Sequence, residues 1–384
     1  MIGRKCSCSE ETKNENMRRI GEVFCFVAIL AICISCNKNN DNLYFNGEIR
    51  NFEVLGSMKK ITLKAIQLNG TNFGWLSVDD SLMIFRNPKL TNHFFNVFNT
   101  DTGEELGAFC NKGGGPDELA DCHKIFNFFK ENDELKTLLL GLYEEKLFVW
   151  NITQSVKQGT TIIDAIISYV PEKENKGALY SSFFFQKDNT LLAKVQSVPL
   201  GGGDATLPFY QQRTINTNKL LKNYSIYKKS IINRDSPTTA QTFSSSNDAC
   251  KPDGTKVVQA MLYLPQLNIL DVETGQVVGF RMKGAPDFSI FEDEKDVYNI
   301  YYIGVQADDN YIYALYWGKE SWGRFDTPYV NTIHVFDWDG NFVQEIETDY
   351  GLDQMWVDST RDRLYLTSPK VDEVFYLDLN EVFD

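Results

Sequence analysis

An all-β fold assembled from repeated four-stranded units is what this 384-residue sequence predicts, and three observations carry the prediction. Short apolar segments alternate with period two and are broken by Asn, Asp and Gly, as in Phe73-Gly-Trp-Leu-Ser-Val78 and Thr332-Ile-His-Val-Phe336. Runs of that length and spacing read as strands and hairpins, and no long amphipathic helix stands out among them. Aromatics make up 13% of the chain, Phe 27 and Tyr 18 among them, side chains that suit a pleated, half-buried surface. Finally, one strand type recurs: an apolar pair closed by Asn or Asp and followed by a turn.

That strand type stands at Val97-Phe-Asn99, Val149-Trp-Asn151, Ile269-Leu-Asp271, Val335-Phe-Asp337 and Tyr376-Leu-Asp378, with a poorer copy at Thr214-Ile-Asn216. The intervals, roughly 41 to 66 residues, are those of propeller blades. A four-stranded blade cannot bury both faces alone, so blades pack around an axis and leave only short protected edges. Six copies predict a six-bladed β-propeller over residues 44–384, with seven blades as the alternative. Residues 170–246, polar and interrupted by Gly201-Gly-Gly203, count as one blade with long loops.

The last blade reads most clearly. Gln354-Met-Trp-Val-Asp358 is its inner strand, residues 363–367 the second and residues 373–378 the third. The chain then ends, so the fourth strand is expected from the N-terminal side, within residues 49–66, and that exchange closes the ring. Helical turns are expected within residues 119–129 and 287–297.

Lys112-Gly-Gly-Gly-Pro-Asp-Glu-Leu119 follows a strand and turn, and a weaker copy returns as Lys283-Gly-Ala-Pro-Asp-Phe288. The glycines permit positive φ and Pro116 fixes the next turn, which suits a blade connection. A phosphate loop would need Gly-Lys-Ser/Thr entering a helix, whereas Asp117 and Glu118 here repel phosphate. The stretch resembles the Gly-x-Gly-Pro-x-Glu signature of the six-bladed, TolB-like or NHL-like propeller lipoproteins of Gram-negative bacteria. Gly113, Gly115, Pro116 and Glu118 fall on its fixed positions, and the second copy lacks the second Gly and the Glu. The resemblance implies a six-bladed ring on a lipid anchor and implies no reaction.

The N-terminus reads as an address. Residues 24–35 are one apolar run, short of the roughly 20 needed to span a bilayer. Arg18 and Arg19 precede it and Ser35-Cys36 ends it, a secretory signal with cysteine at the cleavage point. The segment resembles a bacterial lipobox, with lipidation expected at Cys36, although Cys33 stands where Leu is usual. Residues 1–36 are thus a signal peptide, for which Met17 is a more natural start than Met1, and residues 37–43 a tether. The expected location is the cell envelope, at the outer membrane, with contact to the membrane through the lipid alone.

Lys+Arg total 38 against Asp+Glu 52, a formal charge of −14, and no basic block occurs. Such a surface repels phosphate backbones, so nucleic acid is not an expected partner. Three lone histidines, His93, His123 and His334, show no zinc spacing, and no Gly-x-Ser-x-Gly elbow is present. No cofactor or metal is expected. Asp337-Trp-Asp-Gly-Asn341 lacks the Gly and Glu positions of an EF-hand and reads as a hairpin turn. Cys110 and Cys122 bracket the glycine loop, either as a disulfide in an oxidising compartment or as two reduced thiols.

Aromatics supply the functional hint. Tyr316, Trp317, Trp322 and Tyr329 surround Gly318-Lys-Glu-Ser-Trp-Gly323, and such faces beside polar groups suit a sugar or peptide in a propeller mouth. The alternative is inter-blade core. The expected function is a binding or interaction module for a glycan, a peptide or an envelope protein. An enzyme using the central channel, such as a carbohydrate-active lyase or hydrolase or an NHL-like lactonase, is the second reading, and a structural subunit of an outer-membrane complex the third.

Overall fold

The computed structural model describes residues 41–54, 56, 58–115, 118–141, 146–168, 178–187, 189–197, 209–228, 244–292, 299–320 and 330–383. The expectations for Cys36, the signal and most of the tether lie outside these residues.

Three short strands come first: β1 (Glu48–Phe52), β2 (Lys59–Ile61) and β3 (Lys64–Ile66). Blade 1 is β4 (Trp75–Asp79), β5 (Leu82–Arg86), β6 (His93–Asn99) and β7 (Glu105–Asn111). Blade 2 is β8 (Phe128–Glu131), β9 (Glu134–Gly141), β10 (Lys146–Asn151) and β11 (Ile163–Ser168). Blade 3 is β12 (Ala178–Gln186), β13 (Thr190–Ser197), β14 (Tyr210–Thr214) and β15 (Leu220–Tyr224). Blade 4 is β16 (Ser246–Cys250), β17 (Lys256–Met261), β18 (Gln266–Asp271) and β19 (Val277–Met282). Blade 5 is β20 (Asn299–Ala307), β21 (Tyr311–Glu320), β22 (Val330–Asp337) and β23 (Phe342–Leu352). Blade 6 is β24 (Gln354–Asp358), β25 (Arg363–Ser368) and β26 (Val371–Asp378), completed by β3. Six sheets, not seven, make the ring.

The recurrent strand is the third strand of every blade. Its terminal Asn or Asp is there for a local reason: the side chain accepts hydrogen bonds from backbone N–H groups two or three residues on, closing the turn. Asn99 Oδ1 accepts from Asp101 N at 2.8 Å and Thr102 N at 3.0 Å. Asp271 Oδ1 accepts from Thr274 N at 2.7 Å, and Asp337 Oδ1 from Asp339 N and Asn341 N, both at 2.9 Å. Asp337-Trp-Asp-Gly-Asn341 is accordingly a hairpin turn. Asn151 instead caps a helix, α1 (Ile152–Gln158), accepting from Gln154 N at 3.0 Å. Apolar side chains on the sheet faces meet those of the next blade, so the core lies between blades. Trp150, Phe95 and Tyr365 bury the two sides of blade 1, and Phe280, Phe336 and Ile312 fill the seam between blades 4 and 5.

The closing strand β3 pairs antiparallel with β26, inside the expected interval. The same segment does more than close blade 6. Strand β1 adds in parallel to the outer edge of blade 4, on β19, and β2 adds in parallel to β23 of blade 5. Covering an outer edge removes a template for unwanted strand pairing. The strap is held at its start by Asp41, which receives two hydrogen bonds of 2.8 Å from the Arg281 guanidinium, both side chains nearly buried.

Residues 119–129 contain no helical turn: they run as irregular chain into β8. In the second stretch a short 3-10 turn, Phe288–Phe291, is present, capped by Asp287.

Candidate functional site

The inner strands of the blades line an axial channel with two compartments. The wider, about 250 Å3, is bounded by Trp75 and Leu76 of β4, Asn247 and Asp248 of β16, Gln306 of β20, Gln354 and Trp356 of β24, and Lys124 from the loop before β8. The other, about 220 Å3, is bounded by Asp79, Asn127, Cys250, Lys251, Trp356 and Asp358. Phe126, Gln306 and Trp356 face both and form the waist.

Most channel amides are used to join inner strands of neighbouring blades. Gln354 spans blades 6 and 1, donating to Gly74 O at 2.9 Å and accepting from Leu76 N at 3.0 Å. Asn127 spans blades 2 and 3 through Phe185 O and N, at 3.3 and 3.2 Å. Asn247 donates to Tyr302 O at 3.2 Å, from blade 4 to blade 5. Gln306 makes no side-chain hydrogen bond among the described residues.

One wall of the wider compartment carries a polar cluster drawn from two blades. Asp248, nearly buried, accepts from Tyr210 OH at 2.6 Å and Ser246 Oγ at 2.7 Å, and pairs with Lys194 Nζ at 2.9 Å. Burial first, then the Asp248 charge, pushes the Tyr210 hydroxyl far above its ordinary range, so it is a fixed donor and not a base. Lys124 stands beside this cluster. It reaches the channel solvent, but the surrounding walls strip hydration from its ammonium and lower its pKa; Asp248 works against that shift and Lys194 adds to it. No hydrogen bond or ion pair holds Lys124 among the described residues; the Phe126 ring lies 6.0 Å from its Nζ.

The rim is aromatic. Trp75 is 44% exposed and Phe73 42%, both at the start of the innermost strand of blade 1. The Arg86 guanidinium lies 5.2 Å over the Trp75 ring, and its Nε donates to Cys122 O at 3.1 Å.

The opposite end of the channel is acidic. Asp358 Oδ1 accepts from Thr360 N at 3.0 Å, while Oδ2 is buried with no hydrogen bond within ordinary geometry among the described residues, the Asp80 backbone N–H lying beside the carboxylate. Burial, and to a lesser degree the nearby Asp79 charge, raises the Asp358 pKa. Asp79 pairs with Lys130 at 3.2 Å. The Cys250 thiol is pushed up to about 12 by burial and is inert as a nucleophile at neutral pH. Among the described residues no three His, Cys, Asp or Glu side chains converge as metal ligands.

The two sequence-selected aromatics among the described residues lie elsewhere. Tyr316 is on β21, the second strand of blade 5, half-buried and stacked on His334 at 4.1 Å. Trp317 packs against the core between blades 5 and 6, with Lys319 Nζ 5.4 Å from its ring. Trp322 and Tyr329 fall outside the described residues. Neither Tyr316 nor Trp317 is among the residues bounding either compartment.

The glycine loop follows the outermost strand of blade 1 and leads toward blade 2. Its glycines do not adopt positive φ, contrary to the expectation; they make room. Glu118 folds back so that Oε2 accepts from Gly115 N at 2.8 Å, and a Cβ on Gly113 would lie 1.9 Å from that oxygen. Pro116 lies outside the described residues. In the second copy Gly284 does take φ +80°. Cys110 and Cys122 are free thiols, both buried. Burial raises Cys110 far above its ordinary range, and the proximity of Cys122 adds to it.

A family model described as TolB-like 6-blade propeller-like matches residues 210–360. No curated protein matches the sequence. Among solved structures, a member of the DUF4221 family from Bacteroides vulgatus ATCC 8482 superposes with a TM-score of 0.50 at 12% identity, covering 85% of this chain and 94% of its own. A protein of Bacteroides fragilis NCTC 9343 described as exported gives 0.50 at 13% identity, over 83% and 88%. At such identity the likeness is one of fold. Blade count and ring closure agree that the chain is a six-bladed β-propeller, and its residues 210–360 are similar to the TolB-like propeller family.

Proposed function

We propose that the protein is a ligand-binding propeller of the cell envelope, carried on a lipid at Cys36, whose ligand enters the wider end of the channel. The observation that supports this reading is the composition of that end: an exposed indole, and an amide and an ammonium with no hydrogen-bond or ion-pair partner among the described residues, around a cavity of about 250 Å3. Concave sites lined by aromatic surface and a few placed polar groups are the usual form of small-molecule sites. The polar cluster behind it favours binding over chemistry, since Tyr210, Asp248 and Lys194 are tied to one another. Among the described residues no helix is long and apolar enough to cross a membrane.

Titration of the full chain with neutral and acidic saccharides and short peptides, followed by tryptophan fluorescence, tests the reading. Saturable quenching that is lost in Trp75→Ala is expected; chemical turnover of a bound compound would replace binding with catalysis. Labelled palmitate should appear on the protein and be lost in Cys36→Ala. Catalysis is the second reading, favoured by Asp358 Oδ2, which lacks a hydrogen bond among the described residues, beside Asp79 at the other end. It predicts turnover abolished by Asp358→Asn.

A further inference from the structure

The charge around the wider mouth runs against that of the whole chain. The protein carries a formal −14, yet Lys124, Arg86 and Lys194 gather on one side of this opening. Of these, Lys194 is neutralised by Asp248, at 2.9 Å. Arg86 uses only Nε, on Cys122 O, and Lys124 uses no donor at all among the described residues. His123, between them in sequence, is half-buried; burial lowers its pKa, so it adds no charge at neutral pH. The other carboxylate at the mouth, Asp353, already accepts from Thr367 Oγ1 at 2.6 Å, and the charges felt at Lys124 are those of Asp248 and Lys194. Around Lys124 itself, two cations, Lys124 and Lys194, share one anion, Asp248, and a positive charge is left unmet where hydration is reduced.

Holding an ammonium in such a place costs stability unless an anion joins it. Next to it are the exposed Trp75 indole and the Gln306 amide. A cavity of about 250 Å3 falls below the roughly 300–1,000 Å3 of drug-sized sites, which fits a single small ring and not a polymer segment.

We propose that this mouth binds a small, hydroxyl-rich carboxylate of monosaccharide size, its carboxylate received by Lys124 and its ring laid against Trp75. Arg86 adds a second cation at the rim and keeps the indole in place. The buried Lys194–Asp248–Tyr210 cluster sets the wall against which Lys124 rests. This inference rests on the channel being the ligand site.

The test titrates the full chain with glucuronate and, separately, with glucose, reading the Trp75 and Trp356 indole signals by NMR. Glucuronate is expected to bind at least tenfold more tightly than glucose. Lys124→Met and Lys124→Gln should erase that preference, a loss of roughly tenfold or more for a hydrogen bond to a charged group, while Lys124→Arg retains it. Equal affinity for the two sugars, or glucuronate binding unchanged in Lys124→Met, would overturn the proposal and leave channel binding intact. Failure of both sugars to perturb either indole would overturn the proposal and the binding reading together.

Discussion

The two ends of the channel are made from the same inner strands and share Phe126, Gln306 and Trp356, yet they carry opposite charge. At the wider end a buried ion pair is complete and a further cation is left over. At the other end a carboxylate is buried with one oxygen lacking a hydrogen bond among the described residues, and the neighbouring Asp79 is occupied by Lys130. Chain direction explains why they can differ. Along each inner strand, residues near the start face one end and residues near the finish face the other. Trp75 and Asp79 of β4, or Gln354 and Asp358 of β24, therefore vary independently without changing the fold. The contrast separates groups that hold the ring together from groups that weaken it for some other purpose.

The largest effect should come from a group of the first kind. Asp248→Ala leaves Lys194 buried without its counter-charge, and breaking such a pair costs about 3–5 kcal/mol. Urea unfolding should show that loss; a change below about 1 kcal/mol would mean that water reaches Lys194 freely. Trp75→Ala is a cleaner probe of the mouth. The indole is 44% exposed, so folding stability should barely move while affinity for a ring-bearing ligand falls about tenfold.

Asp358→Asn probes the acidic end. Its folded pKa is raised above the ordinary 3.8, so the folded protein holds this proton more tightly than the unfolded chain does. The stability that this affinity provides is present below pH 3.8 and is lost as pH rises through the raised value. Relative to the wild type, Asp358→Asn should therefore gain stability across that interval, and a pH series of melting temperatures reads it directly. A flat difference would show the carboxylate to be solvated.

The smallest effect is the most diagnostic. Lys124 has a lowered pKa, so the ammonium is disfavoured by folding at every pH below that value. Lys124→Met should be no less stable than the wild type, any gain being small because solvent screens an exposed ammonium, while losing its acidic ligand, the pattern of a residue kept for binding. Destabilisation would instead make Lys124 part of the scaffold.

Much of the ring was legible in the sequence because it is local. The Asn or Asp ending each third strand marks a blade through its own turn, so Asn99, Asn151, Asp271, Asp337 and Asp378 could be counted without the structure. Even the poor copy at Thr214-Ile-Asn216 marks blade 3. The closing strand could be expected because β26 leaves an edge that something must cover. The parallel pairing of β1 and β2 to the rims of blades 4 and 5 could not, since three- to five-residue edge strands carry no periodicity of their own. The site was harder still. Lys124 and Asp248 line the same compartment and are distant along the chain, and no motif joins them. The aromatic-rich stretch around Tyr316 drew attention, but its described members sit on or beside second-strand positions, where side chains meet another blade and not the axis. Phe73-Gly-Trp75 carried a usable signal: two aromatics where a chain enters an innermost strand.

The most direct measurement is a crystal structure of the full chain with glucuronate. The account predicts the sugar at the wider mouth, its carboxylate within hydrogen-bonding distance of Lys124 Nζ and its ring against Trp75. A sugar found at the Asp79–Asp358 end, or a wider mouth left without it at saturating concentration, would contradict the account.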